Sequence, residues 1–170
     1  MAAETALLQF SVSLRSPLFN ELFIPVTAFG SPLAIVIAFI GLYYFERKGS
    51  AVVLAVGAAA AGVAEKSLNL LVARPRPEVA PYLIQGAGTG SSFPSGHATL
   101  AFLLATVLYR EFGKPAFFFT IAALVAFSRL YIGVHYPSDV LAGALLGIVV
   151  GFLVERYREE LVSAVEPFLP

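Results

Sequence analysis

The chain has 170 residues, a length that favours a single domain. Hydrophobic residues make up 58% and charged residues 13% of it, whereas soluble domains carry about 25% charged residues, so an ordinary soluble globule is excluded and part of the apolar surface must face lipid. The 11 basic and 11 acidic residues balance, which argues against a nucleic-acid partner, and the absence of cysteine excludes disulfides and thiol chemistry.

The N-terminal residues 1–16 are predicted to form an interfacial helix. Leu7, Phe10 and Leu14 fall on one stripe of it, and the segment is too short to span a membrane. Residues 18–29 are apolar but contain several helix-interrupting residues, so we expect a bent helix that leads into the first membrane span.

The rest of the chain alternates long apolar runs with short polar turns. Ser31 and Pro32 are typical of a helix start, and Gly143, Gly147 and Gly151 recur every fourth residue, as on a tightly packed helix face. Five spans are predicted, at 32–45, 50–72, from 95 to 110, at 116–130 and at 137–157, before an amphipathic tail. The expected fold is an all-α polytopic helix bundle, with about five to six membrane helices and an interfacial N-terminal helix. It would form one integral-membrane domain over 1–170 with its core at 31–158.

The orientation follows from the basic residues of the turns. The turns at 46–49 and 110–114 and the tail at 155–160 lie on one side and carry most of the lysine and arginine. The positive-inside rule makes that side cytoplasmic. We therefore expect a multi-pass protein of the plasma membrane whose polar loop at 73–96 faces the periplasm or exterior.

The link between the last two spans brings together three groups that can do chemistry. Pro137 would begin a helix with Asp139 in its first turn, so that this carboxylate can fold back on the ring of His135. An imidazole held in this way has a fixed tautomer and is a better nucleophile. Arg129, at the end of the preceding span, can reach the same place. Singly, each group also fits a structural role, as a helix-start residue, an interface residue or a snorkelling charge.

A second set lies at the predicted start of the third span. The N–H groups of a helix beginning at Ser95, Gly96 and His97 can bind an anion such as phosphate. The Ser95 hydroxyl would add a donor, Gly96 would allow close approach, and His97 would act as a general acid. The alternative is an N-capped helix with a lone histidine.

A third set surrounds the end of the second span. The run Arg74-Pro75-Arg76-Pro77 presents two guanidinium groups on an extended backbone, and Lys66 and Asn69 share a face of the preceding helix. These groups predict phosphate contacts, although a basic interface anchor would have a similar pattern.

Together, these stretches resemble the three motifs of the type-2 phosphatidic acid phosphatase superfamily. The second matches Pro94-Ser95-Gly96-His97, the third runs from Ser128-Arg129 through His135 to Asp139, and the first is a lysine, six residues and Arg-Pro. Counting back from Arg76 places Asn69 where that family has lysine, which is a departure; Lys66 lies one turn earlier.

The resemblance implies a metal-independent lipid phosphatase without a cofactor. His135 would form a phosphohistidine and Asp139 would orient it, while His97 would protonate the leaving oxygen and then activate water. Arg76, Arg129, Ser95 and the Gly96 backbone would hold phosphate oxygens, Arg74 could add a contact, and Lys66 or Asn69 would serve in place of the motif lysine.

The implied substrate is a lipid phosphate whose tail stays in the bilayer. An outward-facing site favours a polyprenyl pyrophosphate of the undecaprenyl type; phosphatidylglycerophosphate and phosphatidate are the alternatives. Two readings of other kinds remain open at this point: a lipid-phosphate transporter or binding scaffold that does not hydrolyse, and a vanadate-dependent haloperoxidase, which the apolar spans disfavour.

Overall fold

A computed structural model describes residues 2–84, 89–165 and 167, which form helices and connecting loops without strands. The helices are α1 (Ala2–Ser13), α2 (Pro17–Val26), α3 (Pro32–Tyr44), α4 (Lys48–Val72), α5 (Gly96–Phe112), α6 (Pro115–Ile132), α7 (Pro137–Arg156) and α8 (Arg158–Val165), with a short 3-10 helix at Thr27–Gly30 between α2 and α3. The predicted all-α class is therefore confirmed.

Local sequence signals explain where several helices begin. Ser16, Ser31 and Ser95 each accept a hydrogen bond at the start of a helix from the backbone N–H three residues later. Proline follows the first two of these serines at the first helical position, where its missing N–H costs nothing. The helix starts predicted at Ser31 and Ser95 are thus observed.

The number of membrane spans is smaller by length and composition than predicted. Within the described residues, α4, α6 and α7 are long and apolar enough to cross a membrane, and α2 with α3 could make a fourth span bent by 63°. The 17-residue α5 carries Arg110 and Glu111 in its last turn. The predicted count of five to six is not confirmed, because α3 has 13 residues after its bend and α5 has 17, fewer than the roughly 20 that cross a bilayer core.

Helix α5 is the centre of the bundle and packs against α4, α6 and α7. Its closest neighbour is the glycine face of α7. A Cβ added at Gly143 would lie 2.4 Å from the carbonyl oxygen of Ser95, and one at Gly147 would lie 2.2 Å from that of Thr99. The predicted tight face therefore exists, and it fixes α7 directly against the start of α5.

A polar cluster joins the helices at the end of the bundle away from the 73–96 loop. Glu111 accepts a hydrogen bond from Ser50 and pairs with Arg47 at 3.2 Å. Arg158 donates to Ser50 at 2.9 Å and pairs with Glu155 at 2.9 Å. The turns and tail that were assigned to one side of the membrane thus meet at one end of the molecule.

The N-terminal segment packs at the opposite end of the bundle, near the start of α7 and the end of α6. Leu8 of α1 is fully buried, whereas Leu7 and Phe10 are exposed, and an interfacial position of this helix stays a prediction. Arg15 donates to the backbone oxygens of Tyr131 and Ile132 at 3.0 and 2.7 Å, so it caps the last turn of α6.

Candidate active site

His135 lies in the link between α6 and α7, and it is 4% exposed. Its Nδ1 is 2.7 Å from the carbonyl oxygen of Ser92. A carbonyl can only accept, so Nδ1 carries the proton and Nε2 keeps its lone pair. Nε2 lies 3.3 Å from Nη1 of Arg76. The histidine therefore presents the ring nitrogen that a nucleophile needs, next to a cation.

Asp139 is close to His135 but does not hold its ring by a hydrogen bond. The nearest carboxylate oxygen is 3.8 Å from His135 Nδ1. That oxygen accepts instead from the backbone N–H of Tyr136 at 2.8 Å, and the other oxygen accepts from Arg74 at 2.7 Å. The predicted orienting bond from Asp139 is thus replaced by the Ser92 carbonyl, and the fully buried carboxylate acts on the imidazole through its charge.

The surroundings of His135 keep its imidazole neutral. Burial lowers its pKa below the ordinary value of 6.5, and the positive charges of Arg129 and Arg76 act in the same direction. Asp139 and the Ser92 carbonyl oppose this shift without reversing it. A neutral imidazole is the form that can attack an electrophile.

Arg74 has a different role from the predicted phosphate contact. Its guanidinium pairs with Asp139 at 2.7 Å and with Glu4 of α1 at 3.1 Å. It also donates to Ser138 at 2.6 Å and lies 4.1 Å over the ring of Tyr136. With its donors engaged in this way, Arg74 holds the start of α7 and the N-terminal helix together.

Arg76 extends toward the histidine from the loop after α4. Its Nε donates to the carbonyl oxygens of Thr89 and Gly90 at 3.1 and 3.3 Å, and its Nη1 donates to that of Val134 at 2.9 Å. These backbone bonds fix the guanidinium beside His135, and phosphate binding by Arg76 stays a prediction.

Arg129 carries the one fully buried side-chain nitrogen of the described residues that has no hydrogen-bond partner. It is 4% exposed, and its Nη1 donates to the hydroxyl of Thr27 at 2.7 Å. Its Nε is buried and has no hydrogen-bond partner in the described part of the chain. A buried N–H without an acceptor is costly, so this donor is prepared for an anion that enters the site.

The first turn of α5 contributes Gly96 and His97 to the lining of the cavity at His135, whereas Ser95 does not line it. Ser95 is fully buried, its side chain accepts from the N–H of Ala98, and its own N–H donates to the carbonyl oxygen of Asp139 at 2.9 Å. It therefore caps α5 and ties it to α7, and it does not line the cavity into which His97 faces.

The motif-lysine candidates also lie outside that cavity. Asn69 donates to the backbone oxygen of Ser91 at 3.3 Å and so fastens the loop to α4. Lys66 is exposed, because it lies on the outer face of α4. Neither side chain takes the place of the lysine within reach of the site.

Two adjoining cavities define the site. One, of about 460 Å³, is the polar cavity. The other, of about 500 Å³ and largely apolar, is the tail cavity; residues of α3, α4 and α5 line it. The polar cavity is lined by Thr27, Glu65, Arg76, Ile84, Thr89, Pro94, Gly96, His97, Arg129 and His135. The two histidines predicted to cooperate thus face one space between two arginines.

Thr27 and Glu65 are two of the residues of this site that the sequence did not predict. Thr27 gives no chemical signal by itself and is found only through its bond to Arg129. Glu65 did give a signal, because an acidic residue within an apolar span is costly and is usually functional. It was overlooked because the neighbouring Lys66 offered the more obvious phosphate contact.

The fold and the site together define a helical membrane protein with a cavity lined by two histidines and two arginines. Residues 50–162 match the sequence profile of the PAP2 superfamily, so the chain belongs to that family. The predicted resemblance is confirmed.

Individual relatives support the same assignment. The chain is 28% identical to phosphatidylglycerophosphatase B of Bacillus subtilis, over 94% of this chain and 85% of that protein. It is 34% identical to undecaprenyl-diphosphatase BcrC of the same organism, over 58% and 54%. The crystal structure of LpxE from Aquifex aeolicus superimposes with a TM-score of 0.79 at 31% identity and covers 90% of this chain and 94% of that one. The predicted enzyme class, a metal-independent lipid phosphatase, is confirmed by this membership.

Proposed function

We propose that the chain hydrolyses the phosphate of a membrane lipid through a phosphohistidine on His135. The observation that carries the proposal is the unprotonated Nε2 of His135, beside Nη1 of Arg76, in a cavity with His97 and the unpaired Nε of Arg129. Nucleophile, proton carrier and anion donors thus share one space next to a cavity that can take an apolar tail.

The first step transfers the phosphoryl group to the protein. Nε2 of His135 forms a bond to phosphorus as the bond between phosphorus and the lipid oxygen breaks, and His97 gives its proton to that oxygen. A bound phosphate dianion favours the protonated form of His97. The guanidinium groups of Arg76 and Arg129 stabilise the charge that spreads over the phosphoryl oxygens.

The second step returns the protein to its resting state. His97, now neutral, takes a proton from water, and the water oxygen attacks phosphorus while the bond to His135 breaks. Inorganic phosphate leaves and the imidazole is neutral again. Asp139 stabilises the positive charge that His135 carries in the intermediate, since its carboxylate lies 3.8 Å away.

The intermediate can be trapped if the two histidines have these separate roles. An aryl phosphate with an acidic leaving group needs no proton donor, so the His97→Asn variant should accumulate an acid-labile phosphoprotein with it. The variant His135→Asn should release no phosphate from any substrate. Turnover by His135→Asn, or loss of wild-type turnover in excess chelator, would contradict the mechanism.

The same variant separates hydrolysis from transport. A transporter that only binds lipid phosphates would move labelled lipid across vesicles and would tolerate His135→Asn. The unpaired buried donor of Arg129 by itself fits either function, whereas the lone pair that the fixed tautomer leaves on Nε2 of His135 favours covalent chemistry.

We further propose that the site opens on the periplasmic or exterior side of the plasma membrane. The polar cluster of Arg47 and Arg158 marks the other end of the molecule as cytoplasmic by the positive-inside rule. Since the chain has no cysteine, single cysteines can report the orientation. In intact cells, Glu78→Cys should react with an impermeant maleimide and Glu46→Cys should not; the reverse pattern would refute the orientation.

Two substrate classes fit these features. The outward-facing site favours a polyprenyl diphosphate of the undecaprenyl type, because carrier lipids are dephosphorylated on that face. A lipid phosphate monoester, such as phosphatidylglycerophosphate or phosphatidate, is favoured by a specific observation: the acidic residue Glu65 lines both the polar cavity and the tail cavity, at the junction between them. Phosphate release from the three lipids in detergent, compared at equal concentration, tests the choice.

A further inference from the structure

Glu65 stands at the junction of the two cavities. It lines the polar cavity together with Arg76, and it also lines the tail cavity together with apolar residues of α3 and α5. Among the described residues, only Gly96 and His97 share this position with it. A lipid bound with its phosphate at His135 and its tail among the helices must pass between these three residues.

The carboxyl group of Glu65 is directed at the passage and is not engaged elsewhere. A Cβ built at Gly96 would lie 3.7 Å from Cδ and Oε1 of Glu65, so the carboxyl group is next to the first turn of α5. Within the described residues, no hydrogen bond or ion pair to Glu65 is formed. Its charge interacts at longer range with those of Arg76 and Lys66, and Lys66 is exposed on the outside of α4.

The chemical group that lies at this junction is the leaving group. In a lipid phosphate monoester it is an alcohol oxygen bonded directly to carbon, with no second phosphate at that position. In a lipid diphosphate it is a second phosphate, which carries a negative charge before and after the reaction. The two classes therefore differ by one negative charge at the place where Glu65 projects.

We propose that Glu65 is a specificity-determining residue that selects lipid phosphate monoesters over lipid diphosphates. The inference rests on the proposed function and names its substrate class. A carboxylate beside a second phosphate is repelled by it in a site with little water, whereas an alcohol leaving group experiences no such repulsion. The arginines do not remove the difference, because they hold the phosphoryl group that both classes share.

A matched pair of substrates tests this selection. Farnesyl monophosphate and farnesyl diphosphate have the same tail and differ only in the leaving group. We expect the wild-type protein to have the higher kcat/KM with the monophosphate. The variant Glu65→Gln keeps the size of the side chain and removes its charge, so it should raise the diphosphate-to-monophosphate ratio of kcat/KM by about tenfold or more.

Two further variants separate charge from structure. Glu65→Asp retains the charge on a shorter side chain and should preserve the preference for the monophosphate, even if Glu65→Gln proves difficult to fold. Glu159→Gln removes an exposed charge on α8, remote from both cavities, and should leave the ratio unchanged.

The outcomes distinguish this inference from the proposed function. If the wild-type protein hydrolyses both lipids but Glu65→Gln changes kcat/KM for both by the same factor, Glu65 does not discriminate between the leaving groups. The proposed selection is then refuted, while the phosphatase mechanism stands. A wild-type preference for the diphosphate would also overturn it. Release of phosphate from neither lipid by the wild-type protein would refute both.

Discussion

Replacing Arg129 with methionine should stabilise the resting protein and abolish most of its activity. Arg129 is buried, has Thr27 as its side-chain partner, and leaves its Nε without an acceptor in the described part of the chain. Methionine is similarly long and flexible, and it fills the space without a charge. The variant should thus separate the role of Arg129 in catalysis from any role in folding.

The magnitudes follow from the contacts. An unsatisfied buried polar group costs about 1–3 kcal/mol, so its removal stabilises the protein by that amount. The loss of the hydrogen bond to Thr27 offsets about 1 kcal/mol of this stabilisation. The net stabilisation of up to about 2 kcal/mol should raise Tm in phosphate-free detergent by up to several degrees, at about 2–4 °C per kcal/mol. Against this, one charge-assisted hydrogen bond to the phosphoryl group is worth about 1.5–3 kcal/mol, so kcat/KM should fall roughly tenfold to a hundredfold or more.

Thermal unfolding with and without inorganic phosphate provides the assay. Phosphate should raise the Tm of the wild-type protein in proportion to its binding, and it should raise that of Arg129→Met much less. The control is Arg158→Met, because Arg158 is fully paired with Glu155 and Ser50, and its loss should lower the Tm. If Arg129→Met lowers the Tm as the control does, or retains the response to phosphate, the anion-donor argument is wrong.

Three other perturbations test the supporting structure. Gly147→Ala should push α7 away from α5, which should lower the stability by about 1–3 kcal/mol or more and also lower kcat. The control Gly41→Ala, with open space around the added Cβ, should be neutral or slightly stabilising in the same thermal assay. Arg74→Gln should reduce kcat more than it raises KM, because it frees the carboxylate of Asp139 without removing a phosphate contact. A rise in KM alone would instead indicate that Arg74 binds the phosphate. Histidine-labelled NMR of the His97→Asn variant, in which His135 is the remaining imidazole, should show protonation at Nδ1 and a midpoint below the ordinary pKa of 6.5. Since the unfolded chain takes up this proton first as the pH falls, stability should also decrease below pH 6.5; a midpoint at or above that value would contradict the burial argument.

The positions of Asp139 and His135 show what residue spacing can predict and what it cannot. A spacing of four residues across a helix start correctly placed the carboxylate near the ring, at 3.8 Å. It did not reveal that the helix start itself uses one carboxylate oxygen, through the N–H of Tyr136. Nor did it reveal the Ser92 carbonyl, because a backbone oxygen carries no sequence signal and this one lies 43 residues away in the chain.

The arginines illustrate the same limit. Arg74 and Arg76 are two residues apart in an extended, proline-bounded run, so the sequence treats them alike. In the structure Arg74 pairs with Asp139 and Glu4, while Arg76 turns to the nucleophile. The difference depends on the packing of α1 and α7, which brings Glu4 and Asp139 from distant parts of the chain to Arg74.

The sequence by itself determined the helices, their starting residues, the glycine face of α7 and the set of residue types that the chemistry requires. These depend on periodicity, capping and spacing, which are properties of neighbouring residues. The tertiary structure decided which polar groups are satisfied by protein and which remain for a ligand. The polar groups of Ser95, Asn69 and Arg74 are satisfied by protein, whereas groups of Arg129, His97 and Glu65 remain for a ligand. The difference arises because each buried polar group bonds to whatever partner the packed helices bring within hydrogen-bond distance.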